Sequence, residues 1–271
     1  MSTELNPLAP PSVLLAWLRS ARHVVVLTGA GMSAESGITT FRDKGTGLWT
    51  KVNPKDLASF RAFKDNPGRV WAWYDWRTRQ AAKALPNAGH LALPKLAALP
   101  QFESFAVVTQ NVDDLHERGG SDPVVHLHGS LFAPRCVVCD RPHDVPPVSL
   151  DEHASATSMP AETDHLPPPH CTYCGANVRP GVVWFGEDMP TGPWNRAVAL
   201  CKAADLVLVV GTSSVVFPAA NLAQTAYQRG CHVAVINPDP GARKNPGMLH
   251  WGVTAATGLP ALYDALSRQD G

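Results

Sequence analysis

The chain has 271 residues, 45% apolar and 17% charged, a balance that excludes a disordered tail protein and supplies enough apolar side chain for a full core. It contains no run of 18 uncharged apolar residues, so no helix is expected to span a membrane. Lys plus Arg and Asp plus Glu both count 23, giving zero net charge, and neither nucleic acid nor an anionic membrane is an expected partner.

The opening residues, MSTELNPLAPPSVLLAWLRSARH, lack the basic start, apolar stretch and small-residue cleavage site of a secretory leader. The expected location is therefore the cytoplasm. Val13 to Ser20 has the spacing of an amphipathic helix, and His23 to Leu27 is a β-branched run that reads as a strand ending in the glycines of TGAG. Ser33-Ala34-Glu35-Ser36 then reads as the beginning of a helix, and Arg69 to Ala84 as another. Apolar runs at Phe105 to Val108, Val124 to Leu127, Leu206 to Val210 and Val233 to Ile236 alternate with helix-like stretches such as Asn195 to Ala203 and Ala219 to Arg229. This alternation predicts an α/β fold with a doubly wound parallel sheet covered on both faces.

Between Arg135 and Arg179 the apolar periodicity fades, and Pro, His, Asp and Ser accumulate. Such a segment builds no core of its own. It is bracketed by Cys136-Val-Val-Cys139 and Cys171-Thr-Tyr-Cys174, with Gly175 at an expected tight turn. Four thiolates at this spacing suit a closed tetrahedral zinc site that is structural and supplies the missing folding free energy. The 31 residues between the knuckles exceed the usual ribbon spacing of roughly 15 to 20. A pair of redox-active C-x-x-C motifs is the rival reading. Cys201 and Cys231 read as inert core thiols, and His143, His153, His165 and His170 as solvated loop residues.

Gly29-Ala30-Gly31 follows the first strand, where glycines let the backbone approach a pyrophosphate. The third glycine of the dinucleotide fingerprint and the acid at the second strand are missing, so an ordinary tight turn remains an alternative. Three more strand ends carry small or amide-bearing residues: Thr109-Gln110-Asn111-Val112-Asp113, Gly211-Thr212-Ser213-Ser214 and Asn237-Pro238-Asp239. Together they predict a polar rim at the carboxyl edge of the sheet, suited to a dinucleotide.

The blocks TGAGMSAESGITTFR (28–42), TQNVDDLHERGG (109–120), HLHGS (126–130), RPGVVWFGE (179–187) and GTSSVVFPAA (211–220), with the paired knuckles, resemble the sirtuin family of NAD-dependent protein lysine deacylases. They occur in the family's order across about residues 20 to 260. The resemblance implies a single domain: a Rossmann-like part at about 12–134 and 180–268, a zinc-binding insertion at about 135–179, and a helical cofactor-loop and acyl-pocket segment at about 41–90. It also implies that NAD is consumed. Nicotinamide leaves the ribose, the acyl-lysine oxygen attacks the exposed carbon, and the acyl group ends on ADP-ribose.

Residue by residue, the family motif puts the general base on His128; His126 shares its strand parity, and periodicity does not choose between them. Asn111 and Asp113, with Gln110 beside them, match the positions that hold the nicotinamide carboxamide and the ribose. Phe41 and Arg42 match the mobile cofactor loop. Gly29, Ala30, Gly31, Ser33, Gly211 and Thr212 match further cofactor contacts, Ser213, Asn237 and Ala255 the adenosine side, and Glu35 with Ser36 a cap of the loop. Val183, Trp184, Phe185, Gly186 and Glu187, after Val182, resemble the strand against which an extended acyl-lysine peptide pairs, with Val215-Val216 opposite.

Tyr74 and Arg77 lie three apart in VWAWYDWRTR and so share a helix face. This pair resembles the signature of class III sirtuins, which favour succinyl- and malonyl-lysine, and Ala58 matches a small residue that widens their acyl pocket. Two departures from the family concern the cofactor loop: Thr39 stands where proline is common, and Asp43-Lys44 adds charge. The expected activity is removal of succinyl, malonyl and acetyl groups from protein lysines by a monomer. Mono-ADP-ribosyl transfer and a non-catalytic NAD or ADP-ribose sensor are the alternatives.

Overall fold

The computed structural model describes residues 8–39, 53–144, 161, 164–212, 217–242 and 246–268. Its strands are β1 (His23–Thr28), β2 (Ser104–Thr109), β3 (Val124–His126), β4 (Arg135–Cys136), β5 (Val178–Arg179), β6 (Leu206–Val210), β7 (His232–Ile236) and β8 (Leu249–Trp251). The helices are α1 (Ser12–Ser20), α2 (Pro54–Leu57), α3 (Phe60–Asp65), α4 (Pro67–Lys83), α5 (Ala88–Ala97), α6 (Leu115–Arg118), α7 (Thr191–Ala203), α8 (Asn221–Gln228) and α9 (Ala255–Ser267).

Six strands form one sheet in the order β3-β2-β1-β6-β7-β8, and every neighbouring pair is parallel. The chain winds outward from β1 in one direction and from β6 in the other. A crevice therefore opens outside the carboxyl ends of β1 and β6, where doubly wound sheets place their ligands.

Alternation along β1 sorts its side chains to two faces. Val24 and Val26 join Leu14, Leu18, Leu93, Leu96, Leu259 and Leu262 from α1, α5 and α9, while Val25 and Leu27 join Ala197, Leu222 and Ala226 from α7 and α8. Both faces are thereby covered, which is why β6 is an unbroken buried apolar run. A third cluster joins Leu57, Ala58, Phe63, Trp73 and Tyr74 of the α2–α4 region to Leu131, Val182 and Trp184, beside the crevice.

Two expected elements take a different form. Ser33 to Ser36 begins no α-helix: 3-10 turns cover Ala30–Met32 and Ala34–Ser36, and Gly37, left-handed at φ 85°, ends the second before an α-helical turn closes. Residues 182 to 187 form no regular strand either. Val182 makes an isolated antiparallel bridge to Gly129, and the chain then turns at Gly186, φ 89°. The Glu187 carboxylate takes the Trp184 N–H at 2.9 Å, so a side chain occupies the donor that a strand partner would have used.

Candidate active site

The glycines at the crevice let two loops meet. Gly31 N–H donates to the Gly211 carbonyl at 2.7 Å. A Cβ on Gly31 would lie 2.7 Å from that oxygen, and one on Gly29 would lie 2.6 Å from Thr212 Cβ. Gly211 itself is left-handed at φ 61°. The loops after β1 and β6 are thus locked edge to edge, with Ala30 between the two glycines.

Beside this junction Asn111 is held at three points. Its N–H donates to Thr109 Oγ1 at 3.0 Å, its Nδ2 to Ser33 Oγ at 3.1 Å, and its carbonyl lies 3.1 Å from His126 Nδ1. Ser33 Oγ in turn donates to Asp113 Oδ2 at 3.1 Å, and Leu115 N–H to Asp113 Oδ1 at 3.2 Å. Asn111 and Asp113 are buried. Burial raises the Asp113 carboxyl above its ordinary value, opposed by those two hydrogen bonds.

The structure separates the two histidines that periodicity could not. His128 Nδ1 is 3.0 Å from the Gln110 carbonyl, so that nitrogen carries the proton and Nε2 keeps its lone pair. Burial lowers its pKa, which favours the neutral ring. His126 places both nitrogens against acceptors, Nδ1 at the Asn111 carbonyl and Nε2 at Glu117 Oε1, 2.6 Å away. Burial opposes its charge, but the hydrogen bond and charge of Glu117 outweigh it and raise the pKa. His128 is therefore a neutral ring with a lone pair on Nε2, and His126 a cationic donor.

The rim continues across the sheet. Gln110 Nε2 reaches Thr212 Oγ1 at 3.4 Å and Asn237 Nδ2 donates to the Thr212 carbonyl at 3.1 Å, so the ends of β2, β6 and β7 are linked. Amides, hydroxyls and a carboxyl from four strand ends form one lining, a donor set that fits the phosphates, riboses and carboxamide of a dinucleotide. Glu35 caps: its Oε2 accepts the Ala256 N–H at 3.2 Å in the first turn of α9. Ala255, in that same turn, is buried. Phe41, Arg42, Asp43, Lys44, Ser213, Ser214, Val215 and Val216 lie outside the described residues.

Next to the crevice, Tyr74 is buried and its hydroxyl oxygen accepts from Trp184 Nε1 at 3.1 Å. Burial pushes the phenol up to about 12. The Arg77 guanidinium packs over the rings of Trp73 and Tyr74, at 5.0 and 5.8 Å. Ala58 is buried, and its carbonyl accepts the Phe185 N–H at 2.9 Å. Val183 N–H donates to the His128 carbonyl at 2.9 Å, which ties this segment to His128. Glu187 is engaged by Arg179, whose guanidinium also stacks on Trp184 at 3.6 Å.

Away from the crevice, β4 and β5 form a two-stranded ladder and the knuckles converge. Cys136 and Cys174 sulfurs are 3.4 Å apart, Cys139 and Cys171 3.6 Å, and Cys139 and Cys174 3.7 Å. All four thiol sulfurs lie within 4.8 Å of one another. A tetrahedral ion with sulfur ligands at about 2.3 Å needs sulfur–sulfur edges of about 3.8 Å, so the tetrad suits a structural zinc. Thiols meet across the knuckles as well as within them, so the four form one cluster, which disfavours two independent redox pairs. Among the described residues no histidine is one of the four candidate ligands, but His143 is not a solvated loop residue: it hydrogen-bonds the Cys171 thiol and packs against Tyr173. His153 lies outside the described residues.

Sequence reasoning missed several supports. Thr28 Oγ1 donates to Thr109 Oγ1 at 2.8 Å and lies 2.8 Å from His116 Nε2. Asn87 Nδ2 grips the Met32 carbonyl and Ser36 Oγ at 2.9 and 3.0 Å. The one available signal was a threonine ending each of two neighbouring strands, Thr28 and Thr109, which the parallel register sets side by side.

Residues 29–218 match the model of the Sir2 family. A relative named NAD-dependent protein deacylase 2, from Corynebacterium efficiens, is 46% identical over 252 residues, covering 93% of this chain and 96% of its own. A Sir2 homologue solved as a mutant with ADP-ribose superposes with a TM-score of 0.82 at 40% identity, over 96% of this chain and 97% of that one. A Sir2 homologue in complex with NAD gives 0.80 at 41% identity, over 95% and 94%. The chain belongs to the Sir2 family, matching its model over residues 29–218 and superposing on its solved members.

Proposed function

We propose that this chain is an NAD-dependent protein lysine deacylase that removes succinyl and malonyl as well as acetyl groups, yielding nicotinamide, 2′-O-acyl-ADP-ribose and free lysine. The observation that carries the acidic preference is the Tyr74–Arg77 pair. Because Tyr74 oxygen accepts from Trp184, its own O–H remains to donate, and a phenol raised to about 12 keeps that proton at neutral pH. A neutral donor beside a forked cation grips a carboxylate, and the apolar surroundings strengthen both contacts. Ala58 leaves room for the longer acyl chain.

When bound, NAD supplies an electrophilic ribosyl carbon whose leaving group is nicotinamide. His128 Nε2 accepts the proton of a ribose hydroxyl. Asn111 and Asp113 orient the carboxamide and ribose, with Gln110 alongside. Gly29, Ala30, Gly31, Ser33, Gly211 and Thr212 border the phosphates, and the family resemblance gives Phe41 and Arg42 the role of shielding the reacting face. Ser213, Asn237 and Ala255 border the adenosine, and Glu35 steadies the loop through α9. Substrate proteins enter as extended peptides beside Val183 to Phe185, whose own N–H groups are already taken by His128, Glu187 and Ala58, with Gly186 and Glu187 closing the turn behind them. In this reading the enzyme is a cytoplasmic monomer without nucleic-acid partners, one domain with the tetrad segment inserted near 135–179.

Initial rates on matched acetyl-, malonyl- and succinyl-lysine peptides with NAD test the proposal. It expects succinyl and malonyl turnover at least comparable to acetyl. NAD-dependent acetyl turnover with no acidic acyl turnover would refute the acidic preference.

A further inference from the structure

Glu117, His126 and the Asn111 carbonyl form a chain that no step above uses. Both ring nitrogens of His126 face acceptors, the Asn111 carbonyl at 3.1 Å and Glu117 Oε1 at 2.6 Å. Only the doubly protonated ring donates to both. A neutral imidazole has one N–H, so one nitrogen lone pair would then point at an oxygen lone pair.

We propose that Glu117 and His126 are positioning residues: their ion pair holds the Asn111 carbonyl, and through it the Asn111 side chain, in register with the cofactor pocket. This rests on the reading that Asn111 orients NAD. The other two anchors of Asn111 are hydroxyls, Thr109 Oγ1 on its N–H and Ser33 Oγ on its Nδ2, and neither titrates near neutral pH. The carbonyl anchor does. The titratable groups facing His126 are Glu117 and His116 from α6 and Asp113 from the loop after β2. His116 is almost wholly buried, with its pKa driven well below 6.5 chiefly by burial, so it stays neutral. Glu117 resists the burial that would raise it and is held below its ordinary value by His126.

The direction of the pH effect follows. A histidine raised by its carboxylate keeps the brace intact at and below its unfolded pKa of about 6.5 and loses it as pH climbs through the raised folded value. Loss of the brace belongs to the alkaline limb of activity, whereas protonation of His128 belongs to the acid limb.

The test uses the full chain. The kcat/KM for NAD is measured at saturating acyl-peptide from about pH 6 to pH 9.5, and the His126 imidazole is titrated in parallel by nitrogen-15 NMR. The wild-type midpoint of His126 should coincide with the alkaline limb. Glu117→Gln should lower both together and reduce kcat/KM at about pH 6.5, where the brace is intact, by roughly tenfold, with little change in thermal midpoint at about pH 9.5, where the pair is already lost. Glu117→Asp should restore most of the loss. A His126 midpoint that drops while the alkaline limb stays, or unchanged kinetics in Glu117→Gln, overturns the proposal. If Glu117→Gln fails to fold, a wild-type midpoint displaced from the alkaline limb overturns it equally. A wild-type chain without NAD-dependent turnover defeats the functional reading instead, because the brace concerns only an active enzyme.

Discussion

His128 Nδ1 faces the Gln110 carbonyl at 3.0 Å, and this contact decides what the ring does. A carbonyl can only accept, so the proton stays on Nδ1 and the lone pair of Nε2 remains to take another. Two residues earlier, His126 has an acceptor on each nitrogen. One H-x-H pattern therefore yields one neutral ring with a lone pair on Nε2 and one charged donor.

Replacing His128 with Ala should reduce acyl removal by at least about 10²- to 10⁴-fold while the thermal midpoint barely moves. Steady-state kinetics beside a melting curve check this. Because burial lowers the His128 pKa, the ring stays neutral below 6.5, and the acid limb of kcat/KM for NAD should fall under that value. Undiminished turnover in the variant would overturn the base assignment.

Arg77→Met should cost succinyl turnover far more than acetyl turnover. The missing charge-assisted contact corresponds to about 1.5 to 3 kcal/mol, or roughly 10- to 150-fold in kcat/KM. Tyr74→Phe should cost less succinyl selectivity, because it removes a neutral donor and keeps the ring that Trp184 and Arg77 pack against, while the acceptor lost by Trp184 Nε1 lowers the melting midpoint and acts on both acyl groups alike. Equal losses on both acyl groups would mean that Arg77 supports the fold.

Zinc should be retained in equal amount to protein by elemental analysis, and a chelator should lower the melting midpoint. Among the described residues the segment holding the tetrad has the two-residue ladder of β4 and β5 and isolated bridges at Arg135–Pro142 and His170–Asn177 for regular structure, so the ion supplies most of its order. Cys171→Ser should mimic the chelator. Unchanged stability without metal contradicts a structural ion.

Gly31→Ala should damage both fold and activity. Its Cβ would stand 2.7 Å from the Gly211 carbonyl and 2.8 Å from Gly211 Cα, and backbone is on the receiving side, so the two loops must part. A loss of about 1 to 3 kcal/mol in urea unfolding is expected, with weakened NAD binding by calorimetry. Wild-type values for both would show that the loop junction tolerates the methyl.

Stability should fall on acidification from about neutral. His90 is fully buried and its pKa drops from 6.5 to about 4 through burial. The unfolded chain therefore takes up a proton below 6.5 that the fold refuses until about 4. That shift corresponds to up to about 3 kcal/mol. His90→Gln, which keeps an acceptor for the Asn87 N–H that His90 Nδ1 now receives at 3.3 Å, should flatten the urea midpoint between those pH values. An equally steep variant would place the acid sensitivity elsewhere.

The sheet was legible because burial on both faces turns β1, β6 and β7 into continuous apolar runs, which need no partner to be recognised. β8, only Leu249–Trp251, and α9, which carries Pro260 within it, send no such signal and were not anticipated. The site residues were legible as motifs and the resemblance put the base on His128, but the contacts that distinguish the two histidines were not legible. Nothing in HLHGS says that Glu117 lies against His126 and a carbonyl against His128, since both contacts come from the loop and helix after β2. Nor do the glycines of TGAG reveal that Gly211 presses on them, because that contact needs β1 and β6 to be neighbours. Residues 182 to 187 misled for a related reason: an apolar run reads as strand, and only Glu187 folding back onto Trp184 stops it.

The most direct measurement is the mass of the products formed from NAD and a succinyl-lysine peptide. The account predicts nicotinamide, succinyl-ADP-ribose and unmodified lysine peptide in equal amounts, with none formed when NAD is withheld. Free succinate released without NAD, or a peptide that gains ADP-ribose while keeping its acyl group, would contradict it.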